Sequence, residues 1–142
     1  MRKQSGTPAG IGRRLGAIVY DSILIVAIWV MSLVIVVISS QVTDLSEPVV
    51  ATSTVQLLCA MELFAFFYFF WLYRGRTLGM LVWHTHLAVV NEEQLRARHV
   101  VLRFTGACLC FASLGLGYIW ILFDGNNRSW SDLISGTCVL ND

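Results

Sequence analysis

The sequence predicts an all-α integral membrane domain with three hydrophobic helices, and three observations lead to that prediction. Of the 142 residues, 56% are hydrophobic and only 13% are charged, whereas a soluble domain carries about a quarter charged residues. A chain this short buries only a modest fraction of its surface, so a soluble fold would leave much apolar area in water. The apolar residues also gather into three runs, each about long enough to cross a ~30 Å hydrocarbon core as a helix.

The three runs cover residues 15–39, 49–73 and 104–123 of one domain that spans residues 1–142. Asp21 is the one charge in the first run, Glu62 is the one charge in the second, and the third has none. Helices satisfy their own backbone hydrogen bonds in lipid, so a helix is expected for each run. The first run exceeds the apolar core of a typical cleaved signal peptide, and we expect it to remain as an anchor.

The region between the second and third runs, residues 74–103, is predicted to be a loop outside the bilayer. Thr77 is expected to cap a short helical turn over residues 78–82, and residues 84–90 have the alternation typical of a strand. Residues 94–103 place arginines and apolar residues on separate helical faces, as an amphipathic interfacial helix does. The polar tail, residues 124–142, ends in a second strand-like stretch, and we expect the two stretches to pair as a tiny two-stranded sheet.

The distribution of basic residues predicts the orientation in the cell (inner) membrane. The connection between the first two runs contains no lysine or arginine, whereas the N-terminal lead and the 74–103 loop contain Arg2, Lys3, Arg13, Arg14, Arg74, Arg76, Arg96, Arg98 and Arg103. The N-terminus and the loop are therefore expected to be cytoplasmic. Charge counting favours a third run that crosses once and leaves the tail outside. Gly115 and Gly117, near the centre of that run, instead permit a re-entrant hairpin that returns the tail to the cytoplasm.

Three stretches together resemble the RDD family of small membrane proteins, which is named for one arginine and two aspartates. The stretch "PAGIGRRLGAIVYDSILI" supplies Arg14 and Asp21, and "LGYIWILFDGNNRSWSDLISGTCVL" supplies Asp132 as the second family aspartate. Between them, "YRGRTLGMLVWHTHLAVV" is similar to the family's arginine-glycine-x-threonine-leucine-glycine loop. The resemblance implies a cytoplasmic tail, and hence the re-entrant form of the third run. It also implies a role in transport, because some members resemble cation–proton antiporters.

Arg14 and Asp21 lie on one face of the first helix, about 10 Å apart along its axis. Arg14 is at the cytoplasmic edge, where its side chain is expected to reach the lipid phosphates. Asp21 lies deeper and is expected to face other helices. Three interpretations stay open for Asp21: a structural role, in which it caps the loop backbone or pairs with Arg14, Arg74 or Arg103; a role in carrying protons or ions; and docking of a partner.

Glu62 lies near the middle of the second run, where an acid is most costly. A protonatable acid at this depth is what a proton-coupled carrier needs, but it is also what a hydrogen bond between two helices needs. Both interpretations stay open.

The remaining motifs favour simple roles at the membrane surface. His84 and His86 are two residues apart without further ligands nearby, and zinc normally takes four ligands, so no metal site is expected. Arg74 and Arg76 are expected to anchor the loop or to contact lipid headgroups, and Trp71 fits an interfacial aromatic belt. The four cysteines form no CxxC pair, the net charge is only +1, and no catalytic or cofactor motif is visible. We therefore expect no enzyme, no cofactor and no nucleic-acid partner.

The sequence supports two functions. The first is membrane transport, with cation/proton exchange as the specific reaction, in which Asp21 and Glu62 carry the proton or ion. Three helices enclose no pathway, so this function requires a homo-oligomer. The alternative is a non-catalytic accessory or scaffold subunit that packs its Phe-rich second helix against a larger membrane protein complex. In both cases the lipid bilayer surrounds the chain.

Overall fold

The structure is a computed structural model that describes residues 6–42, 52–90 and 94–142. The described chain is mostly helical, with two long helices, several short ones and one small sheet. In chain order the elements are α1 (Ile11–Val42), α2 (Thr52–Arg74), α3 (Leu78–Val82), β1 (Thr85–Val89), α4 (Ala97–Ala112), α5 (Leu116–Ile119), a 3-10 helix (Trp120–Leu122), α6 (Trp130–Ser135) and β2 (Thr137–Asn141). Arg2, Lys3 and the connection between α1 and α2 lie outside the described residues, as does most of the predicted turn before α4.

α1 and α2 are long and apolar enough to cross a membrane. They correspond to the first and second predicted runs, although α1 begins at Ile11, four residues before the predicted boundary. Much of the apolar surface of α1 is exposed, including Ile23, Met31 and Ile35, each more than 60% exposed. In a bilayer these side chains contact hydrocarbon rather than water, so their exposure is consistent with a membrane location.

The third run does not form one straight helix. α4 starts at Ala97, so the predicted amphipathic segment and the first half of the third run are one continuous helix. That helix ends at Ala112, and the chain bends by 108° before α5 and the 3-10 helix. The bend contains Leu114 and Gly115 with positive φ angles of 55° and 86°, a conformation that glycine adopts at little cost. The bent pair counts as a third span only if both parts are taken as one broken crossing.

The predicted two-stranded sheet is confirmed. β1 and β2 pair antiparallel, with Thr85 opposite Asn141 and Val89 opposite Thr137. The N-terminal segment joins the other side of β2, because the Ala9 N–H donates to the Val139 carbonyl and the Asn141 N–H donates to the Thr7 carbonyl, both at 2.9 Å. The N-terminal segment, the loop after α2 and the tail therefore meet at one end of the helix bundle.

The buried core lies at this same end. Its buried members come from the N-terminal segment, α1, α2, α3, α4 and both strands, and they are Ala9, Ala17, Trp71, Met80, Leu87, Val100 and Val139. Phe67 and Phe104 pack against this cluster from α2 and α4. Trp71 is only 6% exposed, so its predicted place in an interfacial aromatic belt is wrong. Its ring fills the core because it lies on the face of α2 that turns toward the other elements.

Candidate functional site

Asp132 is fixed by the first turn of α6. Ser129 caps this helix: its hydroxyl accepts from the Asp132 N–H at 3.3 Å, and the Asp132 carboxylate accepts from the Ser129 N–H at 3.0 Å. This reciprocal pair is a capping box, with the acid at the third helical position. The capping box fixes the position of the carboxylate through contacts local to α6.

Two arginines from distant parts of the sequence pair with that carboxylate. Arg14 of α1 donates to one Asp132 oxygen, and Arg103 of α4 donates to the other. All three side chains are at least nine-tenths buried. We call Arg14, Arg103 and Asp132 the charge clamp. It joins the start of α1, the middle of α4 and α6 through the strongest kind of hydrogen bond that proteins make.

The electrostatics of the clamp keep Asp132 ionised. Burial works to raise the pKa of the Asp132 carboxyl, but the guanidinium groups of Arg103 and Arg14 outweigh it, and the pKa lies below its usual range. A carboxylate whose pKa falls on folding adds stability above its unfolded pKa, and this stability is lost as the pH drops through the folded pKa. The clamp is therefore intact at neutral pH and weakens only in acid.

Arg14 does not reach the lipid phosphates, so that prediction is wrong. Its side chain is buried and makes two further bonds, to the Ala9 carbonyl at 3.0 Å and to the Asn127 carbonyl at 2.8 Å. The physical reason is that Asp132 and two backbone acceptors satisfy its donors inside the protein. The sequence did not indicate these acceptors, because Asn127 and Asp132 lie more than 110 residues from Arg14.

Asp21 caps the backbone of the loop after α2, as one form of the predicted structural role required. It does not pair with Arg14, which was another form of that role. One Asp21 oxygen accepts from the Thr77 hydroxyl at 2.5 Å, and the other accepts from the Gly79 N–H at 2.8 Å. The Thr77 hydroxyl in turn accepts from the Met80 N–H at 3.2 Å, so Thr77 caps α3 as predicted. Asp21 thus attaches α1 to the first turn of α3.

Gly79 makes this attachment possible. A Cβ at this position would lie against the Ala17 carbonyl and 2.9 Å from the Asp21 carboxyl carbon. Only a glycine therefore lets α3 approach α1 closely enough for the backbone N–H to reach Asp21.

Glu62 occupies a different part of the molecule. One of its oxygens accepts from the Ser32 hydroxyl of α1 at 2.5 Å, and the other is buried without a hydrogen-bond partner among the described residues. One turn away, the Trp29 indole donates to the Cys59 carbonyl at 3.1 Å. Glu62 therefore joins α2 to α1 but keeps one free acceptor.

A cavity of about 250 Å³ lies between α1, α2 and α4. Its walls are apolar and include Ile25, Leu63, Phe67 and Phe104. Its polar lining includes Arg14 and Arg103 of the charge clamp, Asp21 and Thr77 of the Asp21 cap, and also Ser22, Thr85, Tyr118 and Ser131. Two of the three family residues, Arg14 and Asp21, thus line one cavity, whereas Asp132 and Glu62 are not among its lining residues.

The other predicted surface residues lie around the sheet. Arg76 pairs with Asp142 at 3.0 Å, and the His86 ring nitrogen lies 2.7 Å from the other Asp142 oxygen. Arg74 is exposed at the end of α2, and its contact with lipid headgroups stays a prediction. Within residues 6–42, 52–90 and 94–142, no three metal-ligating side chains cluster.

Sequence reasoning missed the role of Arg103. It named this arginine only as one possible partner of Asp21, and it assigned the residue to an interfacial helix. A usable signal was present, because Arg103 stands between Leu102 and Phe104 at the edge of a charge-free run, where a cation needs a buried partner.

Comparison with known families identifies one matching family. The profile of the RDD family matches residues 8–136, and this range contains the three residues that gave the resemblance: Arg14, Asp21 and Asp132. No curated protein and no solved structure matches the chain closely enough to mark a relative. A match over most of the chain, together with α1 and α2, identifies a membrane protein, and the chain belongs to the RDD family.

Proposed function

We propose that this protein moves protons in exchange for a cation across the membrane, as a homo-oligomer, with Glu62 as the group that carries the proton. The observation behind this proposal is the environment of Glu62: a carboxyl group midway along a membrane-length helix with one oxygen left unpartnered among the described residues. An acid within a membrane segment is a functional candidate by default. If its role were only structural, an apolar residue would cost less free energy at that place in the membrane.

The contacts of Asp21 give it a positioning role in this proposal. Both of its oxygens hold fixed partners, Thr77 and Gly79. Asp21 and Ser32, the partner of Glu62, are eleven residues apart on α1, about 16 Å along the helix axis. The two acids therefore do not form a direct relay within one chain, and Glu62 alone is assigned the carrier role.

A homo-oligomer follows from the small number of helices. Two long helices and one bent pair cannot enclose a continuous path, so several copies must do so together. The apolar surfaces of α1 and α2 that the fold leaves exposed offer area for such packing, and Glu62 lies at the contact between these two helices.

The membrane orientation is part of the proposal. The end of the bundle that carries the sheet also carries exposed arginines, including Arg13, Arg74 and Arg98. Basic residues of this kind remain on the cytoplasmic side of the cell (inner) membrane. We therefore place the N-terminus, the loop and the tail in the cytoplasm.

Proton flux in reconstituted vesicles tests the carrier role. Vesicles with a pH-sensitive dye inside are given an inward gradient of Na⁺ or K⁺, and wild-type protein is expected to move protons outward. Glu62→Gln preserves the shape and the hydrogen bond to Ser32 but removes the titrating group, so flux is expected to fall to the level of empty vesicles. Glu62→Asp keeps an acid and should retain part of the flux.

Thr105→Ala is the matched control for loss of a polar group within a helix. Thr105 is exposed on α4, and its hydroxyl donates only to the Val101 carbonyl of its own helix. This variant is expected to transport like the wild type. Wild-type flux from Glu62→Gln at equal protein density would remove Glu62 from the mechanism.

A second candidate is the accessory or scaffold subunit. It is favoured by the complete pairing of Asp132 and Asp21 within the chain, which uses both family aspartates to hold the fold. Native mass spectrometry after extraction in mild detergent separates the two candidates. Homo-oligomers without another chain support transport, whereas a fixed stoichiometry with larger subunits supports the accessory role.

A further inference from the structure

Two buried donors, each from a residue that lines the cavity, lack an acceptor among the described residues. The indole N–H of Trp71 and the Nε–H of Arg103 have no hydrogen-bond partner among the described residues. Trp71 is 6% exposed and Arg103 is 7% exposed, and both residues line the cavity between α1, α2 and α4. Buried donors are nearly always satisfied in native proteins, so each unpartnered one calls for an explanation.

The two donors are close neighbours. The guanidinium carbon of Arg103 lies 5.2 Å from the centroid of the Trp71 ring, so the two side chains are in contact, and a ligand that satisfies both donors must place one acceptor group within reach of both. Another nitrogen of Arg103 is engaged, since Nη1 donates to Asp132 and to the Thr137 hydroxyl, the latter at 2.9 Å. The clamp thus holds Arg103 in place while its Nε–H stays available.

The rest of the cavity lining favours a ligand with an apolar chain. Its walls include Ile25, Leu63, Phe67 and Phe104, and its volume is about 250 Å³. A cavity of ~150 Å³ holds a molecule of benzene, so this one has room for several more carbons. Ligand sites commonly combine such apolar walls with a few placed polar groups that fix orientation.

We propose that this cavity binds an apolar chain that ends in a carboxylate, of the fatty-acid class, with the carboxylate oxygens accepting from Trp71 Nε1 and Arg103 Nε. A carboxylate is favoured over a neutral acceptor because one donor belongs to a guanidinium group, and charge-assisted bonds of this kind are roughly twice as strong as neutral ones. Molecules of this class partition into the hydrocarbon layer that surrounds α1 and α2. The site lies apart from Glu62 and does not depend on the transport proposal.

Photolabelling in lipid nanodiscs tests the site. The probe is dodecanoate with a diazirine near its methyl end, and the labelled peptides are mapped by mass spectrometry. Label is expected on the cavity walls of α2 and α4. Unlabelled dodecanoate should compete at a concentration at least tenfold lower than methyl dodecanoate, which has the same chain but no negative charge. Equal competition by acid and ester would overturn the proposal.

Two matched pairs of variants locate the binding. Trp71→Phe keeps an aromatic ring but removes the N–H, and it should weaken competition by about tenfold. Trp29→Phe removes an indole N–H that already has a partner outside the cavity, and should bind like the wild type. Ala107→Leu fills the cavity from α4 and should abolish labelling, whereas Ala112→Leu adds the same bulk at an exposed position and should not.

Wild-type labelling in Trp71→Phe or in a folded Ala107→Leu would place the ligand elsewhere and contradict the proposal. Thermal unfolding of each variant reports whether it is folded. If Ala107→Leu does not fold, the comparison of acid and ester on the wild-type protein still decides the question.

Discussion

Replacing Asp132 with asparagine is expected to destabilise the protein more than any other single conservative change. The amide keeps the shape of the side chain and its place in the capping box, but it removes the negative charge between Arg14 and Arg103. Two guanidinium groups are then left buried without a counter-charge. Breaking a buried ion pair from one side costs about 3–5 kcal/mol, which lowers the unfolding temperature by roughly 10 °C or more. Thermal unfolding in detergent measures this difference.

Asp124→Asn is the matched control, because it makes the same change in a more exposed pair. Asp124 lies close to Asp132 in sequence and accepts from Arg128 at 3.2 Å; this hydrogen bonding lowers the pKa of the Asp124 carboxyl. The unfolding temperature of this variant should stay near that of the wild type, since ion pairs that solvent reaches add little and the amide oxygen can still accept from the Arg128 N–H. Adding Arg14→Met to Asp132→Asn should restore part of the lost stability by removing one uncompensated charge. Equal unfolding temperatures for Asp132→Asn and Asp124→Asn would show that the clamp does not hold the fold.

Replacing Gly79 with alanine is expected to separate α3 from α1. The new methyl group would lie against the Ala17 carbonyl and 2.9 Å from the Asp21 carboxyl carbon. Neither backbone nor a hydrogen-bonded acid can yield easily, and overpacking of this kind costs about 1–3 kcal/mol. If the helices move apart, Asp21 loses the Gly79 donor, and a buried acceptor left unpaired adds about 1–3 kcal/mol. Thermal unfolding and protease sensitivity of the loop after α2 measure the effect.

Gly12→Ala supplies the control for this change. Gly12 lies in α1, and a Cβ there would meet no atom within 4 Å. Alanine is the better helix former by about 1 kcal/mol, so this variant should unfold at or slightly above the wild-type temperature. A Gly79→Ala protein as stable as Gly12→Ala would mean that α3 does not depend on close approach to α1.

The sequence was sufficient to predict those parts of the fold that depend on local pattern. Run length and hydropathy predicted α1 and α2, Thr77 predicted the cap of α3, and the alternation near His86 and Val139 predicted the paired strands. Each of these features depends on residues a few positions apart. The family resemblance then added Asp132, which no periodicity would have singled out.

The features that the sequence did not predict depend on contacts between residues that are distant in the chain. The sequence predicted that Arg14 contacts lipid because Asp21, about 10 Å away along the helix axis, is too far for a direct ion pair, whereas its partner Asp132 is 118 residues away. Arg103 was assigned to an interfacial helix for the same reason, because its partner Asp132 lies 29 residues away; α4 continues through Arg103 without a break. Trp71 was predicted to be interfacial because it is an aromatic residue near the end of a hydrophobic run. The sequence did not indicate its burial, because the cavity that it lines forms only when α1 and α4 have packed.

We propose that the chain turns back after α4, so that both ends lie on one side of the membrane and are joined by the charge clamp. Arg14 bonds to the Asn127 carbonyl, which brings the segment after the bend back to the start of α1. Nine residues separate Arg103 from Ala112, a rise of about 14 Å, or half of a ~30 Å hydrocarbon core. A full crossing would instead carry Gly125 to the opposite surface.

Cysteine labelling in cells tests this claim most directly. In a variant with Cys59, Cys108, Cys110 and Cys138 changed to alanine, single cysteines are placed at Gly10, Gly125 or Ser46. Gly10 and Gly125 are exposed, with open space for a side chain, and Ser46 lies in the connection that charge counting places outside. We expect an impermeant maleimide to label only Ser46→Cys in intact cells, and Gly10→Cys and Gly125→Cys together after permeabilisation. Labelling of Gly125→Cys but not Gly10→Cys in intact cells would show that the third run crosses the membrane and would contradict the account.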